Sequence, residues 1–184
     1  MGKYKRELTE ELIHFIKQQK LFFVATAPSD EGRINLSPKG YDSLVVIDSH
    51  TIAYLDYAGS GNETANHIND NKKITFMWCS FEETPLILRA YCFGHILEKD
   101  GDVYHQYMQK YFEEIDPKSA RRIFICDIEA IQTSCGFGVP LFDYIGERDT
   151  MAKWTEKQLA NGNLDQYIEE HSARLEEKFP LLKK

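Results

Sequence analysis

From Leu21 to Thr133 the chain is a succession of short extended segments separated by turn clusters, with too few helical stretches to alternate one strand with one helix. That pattern excludes a doubly wound parallel sheet and favours a small antiparallel barrel. Leu21–Thr26 runs into the turn residues Pro28–Gly32, and a hairpin partner follows at Arg33–Ser37. Further strands are expected at Ser43–Ile47 and Thr51–Tyr57, around a turn at Asp48–His50. Lys73–Phe81 and Leu86–Glu98 read as a pair joined at Glu82–Pro85. Arg122–Thr133 reads as the last strand, with Phe124, Cys126, Ile128 and Ala130 forming a wholly apolar face.

Helical spacing brackets and interrupts these strands. Leu8, Leu12, Ile13 and Ile16 share a face behind a Thr9 N-cap. Gly59–Asn71 and Asp102–Ile115 read as inserted helices, the second with Val103, Tyr107, Tyr111 and Ile115 spaced four apart. Two more helices are expected at Asp149–Ala160 and Leu164–Lys178. A chain of 184 residues suffices for one core. The expectation is therefore one mainly β domain with added helices: a barrel over about 20–140 and a helical extension over about 141–184.

Charge narrows the partners. The net charge is −7, and the basic pairs Lys72-Lys73, Arg121-Arg122 and Lys183-Lys184 form no stripe, so no nucleic-acid surface is expected. No run reaches the roughly 20 apolar residues of a membrane span, and the opening residues lack an apolar signal core. The expectation is a cytoplasmic protein without a membrane partner. Cys79, Cys92, Cys126 and Cys135 form no CxxC pair, and three lie in apolar runs that suit buried thiols. The six histidines show no paired ligand spacing, so no metal is expected.

Two segments carry chemistry. Gly59-Ser60-Gly61-Asn62-Glu63-Thr64-Ala65-Asn66 follows a strand and opens a helix, with small polar residues where backbone amides lack helical partners. A phosphate binds readily at such a start, with Ser60, Asn62 and Thr64 as further donors and Gly61 allowing close approach. The same residues also fit a capping box, in which Ser60 and Glu63 merely start the helix. Asn35-Leu36-Ser37-Pro38-Lys39-Gly40 is the second segment. Its proline interrupts a strand ladder, and Lys39 either holds an anion or is solvated in a simple turn.

Together with Ala53–Tyr57, Leu88-Arg89-Ala90-Tyr91 and Gln132–Pro140, these segments resemble the pyridoxamine 5′-phosphate oxidase-related family of FMN-binding split barrels. The resemblance spans roughly residues 20 to 140. It implies a six-stranded antiparallel split β-barrel, dimeric, with flavin mononucleotide at the subunit interface. By that resemblance Ser37, Pro38 and Lys39 face the isoalloxazine ring, with Lys39 near its N1–C2=O edge. Ser60, Gly61, Asn62, Thr64 and Asn66 lie on the phosphate side. Arg89 is a further candidate, because an Arg in an apolar strand needs an anionic partner; an internal salt bridge to Asp56 or Glu63 is the alternative. The resemblance also places the Cys135–Pro140 loop across the subunit interface, with Phe137 against the partner's flavin pocket.

The family's vitamin B6 oxidases carry Arg-x-His and Arg-Leu-x-Pro near the C-terminus, and this sequence has neither. Vitamin B6 oxidation is therefore not expected. The implied activity is hydride transfer between flavin and a small substrate or NAD(P)H. A non-catalytic FMN or haem carrier is the alternative, and His67 and His95 are the available axial ligands.

Overall fold

The computed structural model describes residues 2–181, which leaves Met1 and Leu182–Lys184, with the basic pair Lys183-Lys184, outside the described residues. In chain order the elements are β1 (Lys3–Lys5), α1 (Glu10–Gln18), β2 (Phe22–Thr26), β3 (Asn35–Lys39), β4 (Leu44–Val46) and β5 (Thr51–Tyr57). Then come α2 (Glu63–Asn71), β6 (Lys73–Cys79), β7 (Ile87–Glu98), α3 (Asp102–Tyr111), a 3₁₀ turn at Pro117–Ser119 and β8 (Ala120–Ser134). The helices α4 (Thr150–Asn161), α5 (Leu164–Glu170) and α6 (Leu175–Lys178) complete the chain.

The strands form one curled antiparallel sheet in the order β3-β2-β6-β7-β8-β5-β4, with β1 added on β8. Six longer strands make the split barrel, and the three-residue strands β1 and β4 extend it. Lys3–Lys5 is too short and too charged to register as a strand by periodicity, and pairing with Ile131–Thr133 is what makes it one. The curl brings β3, at one end of the sheet, against β5, near the other: the Lys39 ammonium lies 5.8 Å from the centre of the Tyr54 ring.

Alternation places the core. Val24, Ile52, Tyr54, Phe76, Trp78, Leu88 and Phe124 interdigitate inside the barrel, with α1 and Ile68 of α2 closing it. Leu55, Ala53 and Ile123 face outward onto α3 and form a second apolar cluster. That helix buries Tyr104 and Met108, with Phe112 just beyond its end, whereas Val103, which shares the four-residue spacing of Tyr107, Tyr111 and Ile115, is 49% exposed. Tyr107, Tyr111 and Ile115 flank the buried row.

Two bulges interrupt β8. Pairing steps from Cys92–Ile128 to Tyr91–Ala130, which leaves Glu129 as an extra residue. Beyond it the alternation reverses, so Ile131 enters the core and Ala130 leaves it. The apolar face expected to include Ala130 therefore ends at Ile128. A second bulge between Asp56–Arg122 and Tyr57–Ala120 leaves Arg121 as the extra residue.

The tail differs from its expected single helix over Leu164–Lys178. It breaks at His171–Arg174 into α5 and α6. Arg33 holds the last turn, donating to the Glu176 carboxylate at 3.4 Å and to the Phe179 carbonyl at 2.8 Å. Among the described residues no helix is long and apolar enough to cross a membrane.

Candidate functional site

A cleft of about 460 Å³ opens between the Asn35–Lys39 strand, the Tyr54–Asp56 end of β5 and the turn into α2. Ser37, Pro38, Lys39, Ser60, Gly61, Asn62 and Thr64, seven of the residues singled out in the sequence, line this one space. Segments separated by twenty residues meet because β3 is an edge strand and the sheet curls it back over β5. Pro38 is tolerated in β3 for the same reason, since only one side of that strand, opposite Phe23, is hydrogen-bonded to a neighbour.

The start of α2 is not a capping box. The helix begins at Glu63, and Asn62 stands at its N-cap without a side-chain cap bond. Ser60 lies outside the helix, and the Glu63 carboxylate turns away to His67 at 3.5 Å and to the Leu175 amide at 2.8 Å. The first-turn amides are left without the reciprocal pair that such a box supplies, and that is the condition for anion binding.

A polar network braces the wall. Asn35 donates to Thr64 Oγ1 at 3.1 Å and to Thr26 Oγ1 at 3.2 Å, while Ser37 Oγ donates to Asn35 Oδ1 at 3.1 Å. His67 Nδ1 meets the same Thr26 hydroxyl at 3.0 Å. Asn62 donates to the Ser172 carbonyl at 3.3 Å and to Asn66 Oδ1 at 3.2 Å, so the tail packs over the helix start.

Arg121 is the residue that sequence reasoning missed. It is only 6% exposed and donates to the Gly61 carbonyl at 2.7 Å and to Asp56 at 3.2 Å. Arg122 reaches the same carboxylate at 3.7 Å. The bulge is what re-aims Arg121 into the cleft, as bulges beside functional sites do. The argument applied to Arg89, that an Arg in an apolar strand needs an anion, would have flagged it.

The buried donors and acceptors are not all matched. Arg121 Nε, Asn62 Oδ1 and Asn66 Nδ2 are buried without a hydrogen-bond partner. Burial lowers the pKa of Lys39 below its ordinary value of 10.5, opposed by Asp56 and reinforced by Arg121. Burial and the neighbouring Asp56 carboxylate push the Tyr54 phenol well up. With Asp56 shared by two arginines and the Glu63 carboxylate turned to His67 and the Leu175 amide, the Lys39 charge is left over, and the cleft suits an anion.

Arg89 lies elsewhere. It pairs opposite Gln132, ten residues along β8 from Arg122, and its guanidinium donates to Ser134 Oγ at 3.4 Å. At the rise of a strand that is on the order of 30 Å. Neither Asp56 nor Glu63 is its partner, because the first is held by Arg121 and Arg122 and the second by His67 and Leu175. Asn66 stands one turn into α2, behind the lining residues.

A curled antiparallel split barrel with a cleft at an uncapped helix start defines the fold class. Residues 8–135 match the sequence profile of the pyridoxamine 5′-phosphate oxidase family, and the chain belongs to that family. It is 35% identical to the pyridoxamine 5′-phosphate oxidase family protein ustO of Aspergillus flavus, over 93% of this chain and 74% of that protein. Among solved structures it is similar to HupZ of Group A Streptococcus, with 25% identity, 67% of this chain and 91% of that chain covered, and a TM-score of 0.54. A candidate pyridoxamine 5′-phosphate oxidase from Lactobacillus delbrueckii shares the fold at 23% identity and a TM-score of 0.55, over 69% of this chain and 94% of that one.

Proposed function

We propose that the protein is an FMN-dependent oxidoreductase that works as a homodimer. The observation that carries this reading is the cleft itself. An uncapped helix start and the Arg121 side chain border the same space as Lys39. Ser60, Thr64, the α2 amides and Arg121 are the groups to hold the phosphate, and Ser37, Pro38 and Lys39 border the ring. Bound there, the flavin supplies hydride transfer to or from a small substrate or NAD(P)H. The protein's part is to orient the ring, exclude water with Tyr54 and Tyr57, and place the Lys39 ammonium where negative charge is stabilised.

The dimer is supported by the strap that follows β8. Phe137 is 83% exposed and Ile145 98% exposed, with Leu141 and Phe142 between them also exposed. Such a run is the kind of apolar surface that a second copy covers.

No histidine lines the cleft among the described residues, and His67 is engaged by Thr26 and Glu63. His95 is on the surface with Asp127, 3.3 Å away. The haem reading therefore has no histidine ligand in this space.

The visible spectrum of the purified protein, before and after adding FMN, is the test. A flavin spectrum, or tight uptake of added FMN with quenched fluorescence, is expected. A colourless protein that takes up no FMN overturns the reading, and a Soret band replaces it with haem. Bleaching of bound FMN by NADH or NADPH separates enzyme from carrier.

A further inference from the structure

A second cavity, of about 420 Å³, lies between α4 and the connection from α3 to β8. It adjoins the cleft described above, and Tyr41, Tyr57 and Met151 line both. The two spaces differ in chemistry. The first contains Lys39 and Arg121, and its two carboxylates are engaged, Asp56 by Arg121 and Arg122 and Glu63 by His67. The second has no basic side chain in its lining; Ile115 and Leu159 give it an apolar floor, and Glu114, Asp116 and Glu156 give it carboxylates.

The dividing wall is built under constraint. Tyr41 and Asp42 both hold positive φ, at 61° and 52°, a left-handed conformation that side-chain-bearing residues seldom adopt. Strain of this kind persists where surrounding structure fixes it, and it clusters at ligand sites. Here the Tyr41 hydroxyl donates to the Arg148 carbonyl at 2.7 Å, and its ring meets Tyr57 edge-on at 6.4 Å. Burial and the Asp42 carboxylate push the Tyr57 phenol up to about 12.

We propose that this second chamber is the substrate subsite and that it takes a planar aromatic cation lacking a phosphate or carboxylate. Its role as a substrate subsite rests on the flavin reading of the first cleft, whereas its ligand chemistry does not. Tyrosine rings and the Met151 thioether stack well on a flat aromatic body. The carboxylates favour a cation at the rim and repel the phosphate that the first cleft attracts. Asp116 is partly spoken for, because its Oδ1 accepts from the Lys118 amide at 2.9 Å, which leaves Glu114 and Glu156 as the free charges. Substrate and flavin would then be sorted by charge, each into its own chamber, on either side of Tyr41 and Tyr57.

The test is calorimetric titration of the full chain with tryptamine, and with indole-3-propionate as an anion of similar size. Tryptamine is expected to bind and indole-3-propionate is not. Neutralising Glu114→Gln together with Glu156→Gln is expected to weaken tryptamine about fivefold. Leu159→Trp, which fills the chamber without touching a charge, is expected to abolish binding. Melting curves of both variants establish that they fold. Equal binding of the two probes, no binding of either, or tryptamine affinity unchanged in both folded variants overturns the proposal. Each titration is run with and without saturating FMN. Tryptamine binding as expected with no FMN uptake overturns the flavin reading alone; FMN uptake without tryptamine binding overturns this subsite alone.

Discussion

Arg121 donates through Nη1 to the backbone carbonyl of Gly61 at 2.7 Å, tying the first strand turn of β8 to the loop that opens α2. The same guanidinium pairs with Asp56, which is 4% exposed. One side chain thus fixes the shape of the loop and balances a buried carboxylate.

Arg121→Met is expected to destabilise the protein by about 3 kcal/mol, because Asp56 is left buried with Arg122 alone. The double variant with Asp56→Leu is expected to be no more stable than the single one, because buried Arg122 then loses its paired carboxylate, and to lack the affinity for FMN as well. Urea denaturation and FMN titration of both variants check this. Recovery of FMN affinity in the double variant would show that Arg121 acts only as the partner of Asp56.

Ser60→Ala with Thr64→Ala is expected to weaken FMN far more than riboflavin, since only FMN carries the phosphate. The two changes differ in stability. Ser60 is exposed, so its loss is worth less than about 0.5 kcal/mol. Thr64 accepts from Asn35, and its loss costs about 1 kcal/mol. Equal losses for the two ligands mean that the helix start holds no phosphate.

Lys39 sets an alkaline dependence. Its folded pKa is depressed by burial, so the unfolded chain binds the proton more tightly than the folded one. The cost of burying the charged form is present below the folded pKa and is relieved as pH rises through it toward 10.5. Affinity for an anionic ligand runs the other way and falls over that window as the ammonium is lost. Lys39→Met is expected to flatten both dependences relative to the unaltered protein, as read by denaturation and FMN titration across alkaline pH. Parallel curves for the two proteins would remove Lys39 from the site.

The strap after β8 is expected to hold the dimer. Ile145→Asp should shift sedimentation from dimer to monomer without lowering the melting temperature of the barrel. Gly136→Ala should act in the same direction. Gly136 has φ of +69°, and a Cβ there would stand 2.9 Å from the Leu86 backbone nitrogen, so the strap must move. Gly138→Ala meets nothing within 4 Å and is the control.

Much of this molecule is determined by the sequence alone. The alternation of Ile52, Tyr54, Phe76, Trp78 and Phe124 specifies antiparallel strands around one core, and helical spacing marks α1, α3 and α4, because both periods are local properties of the chain. The Asn35–Lys39 and Gly59–Asn66 segments are marked as well, since Pro, Gly and small polar residues have local conformational meaning. Pairing decided the rest. Whether Ser60 caps a helix depended on where α2 begins, and Glu63 was drawn off by His67 and by a tail more than a hundred residues away. Ala130 left the core and Arg121 entered the cleft because each lies at or beside a bulge, and a bulge exists only between two paired strands. Lys39 met Tyr54 through the curl of the whole sheet. Periodicity is written residue by residue, whereas register, bulges and curl are settled only when distant strands come together.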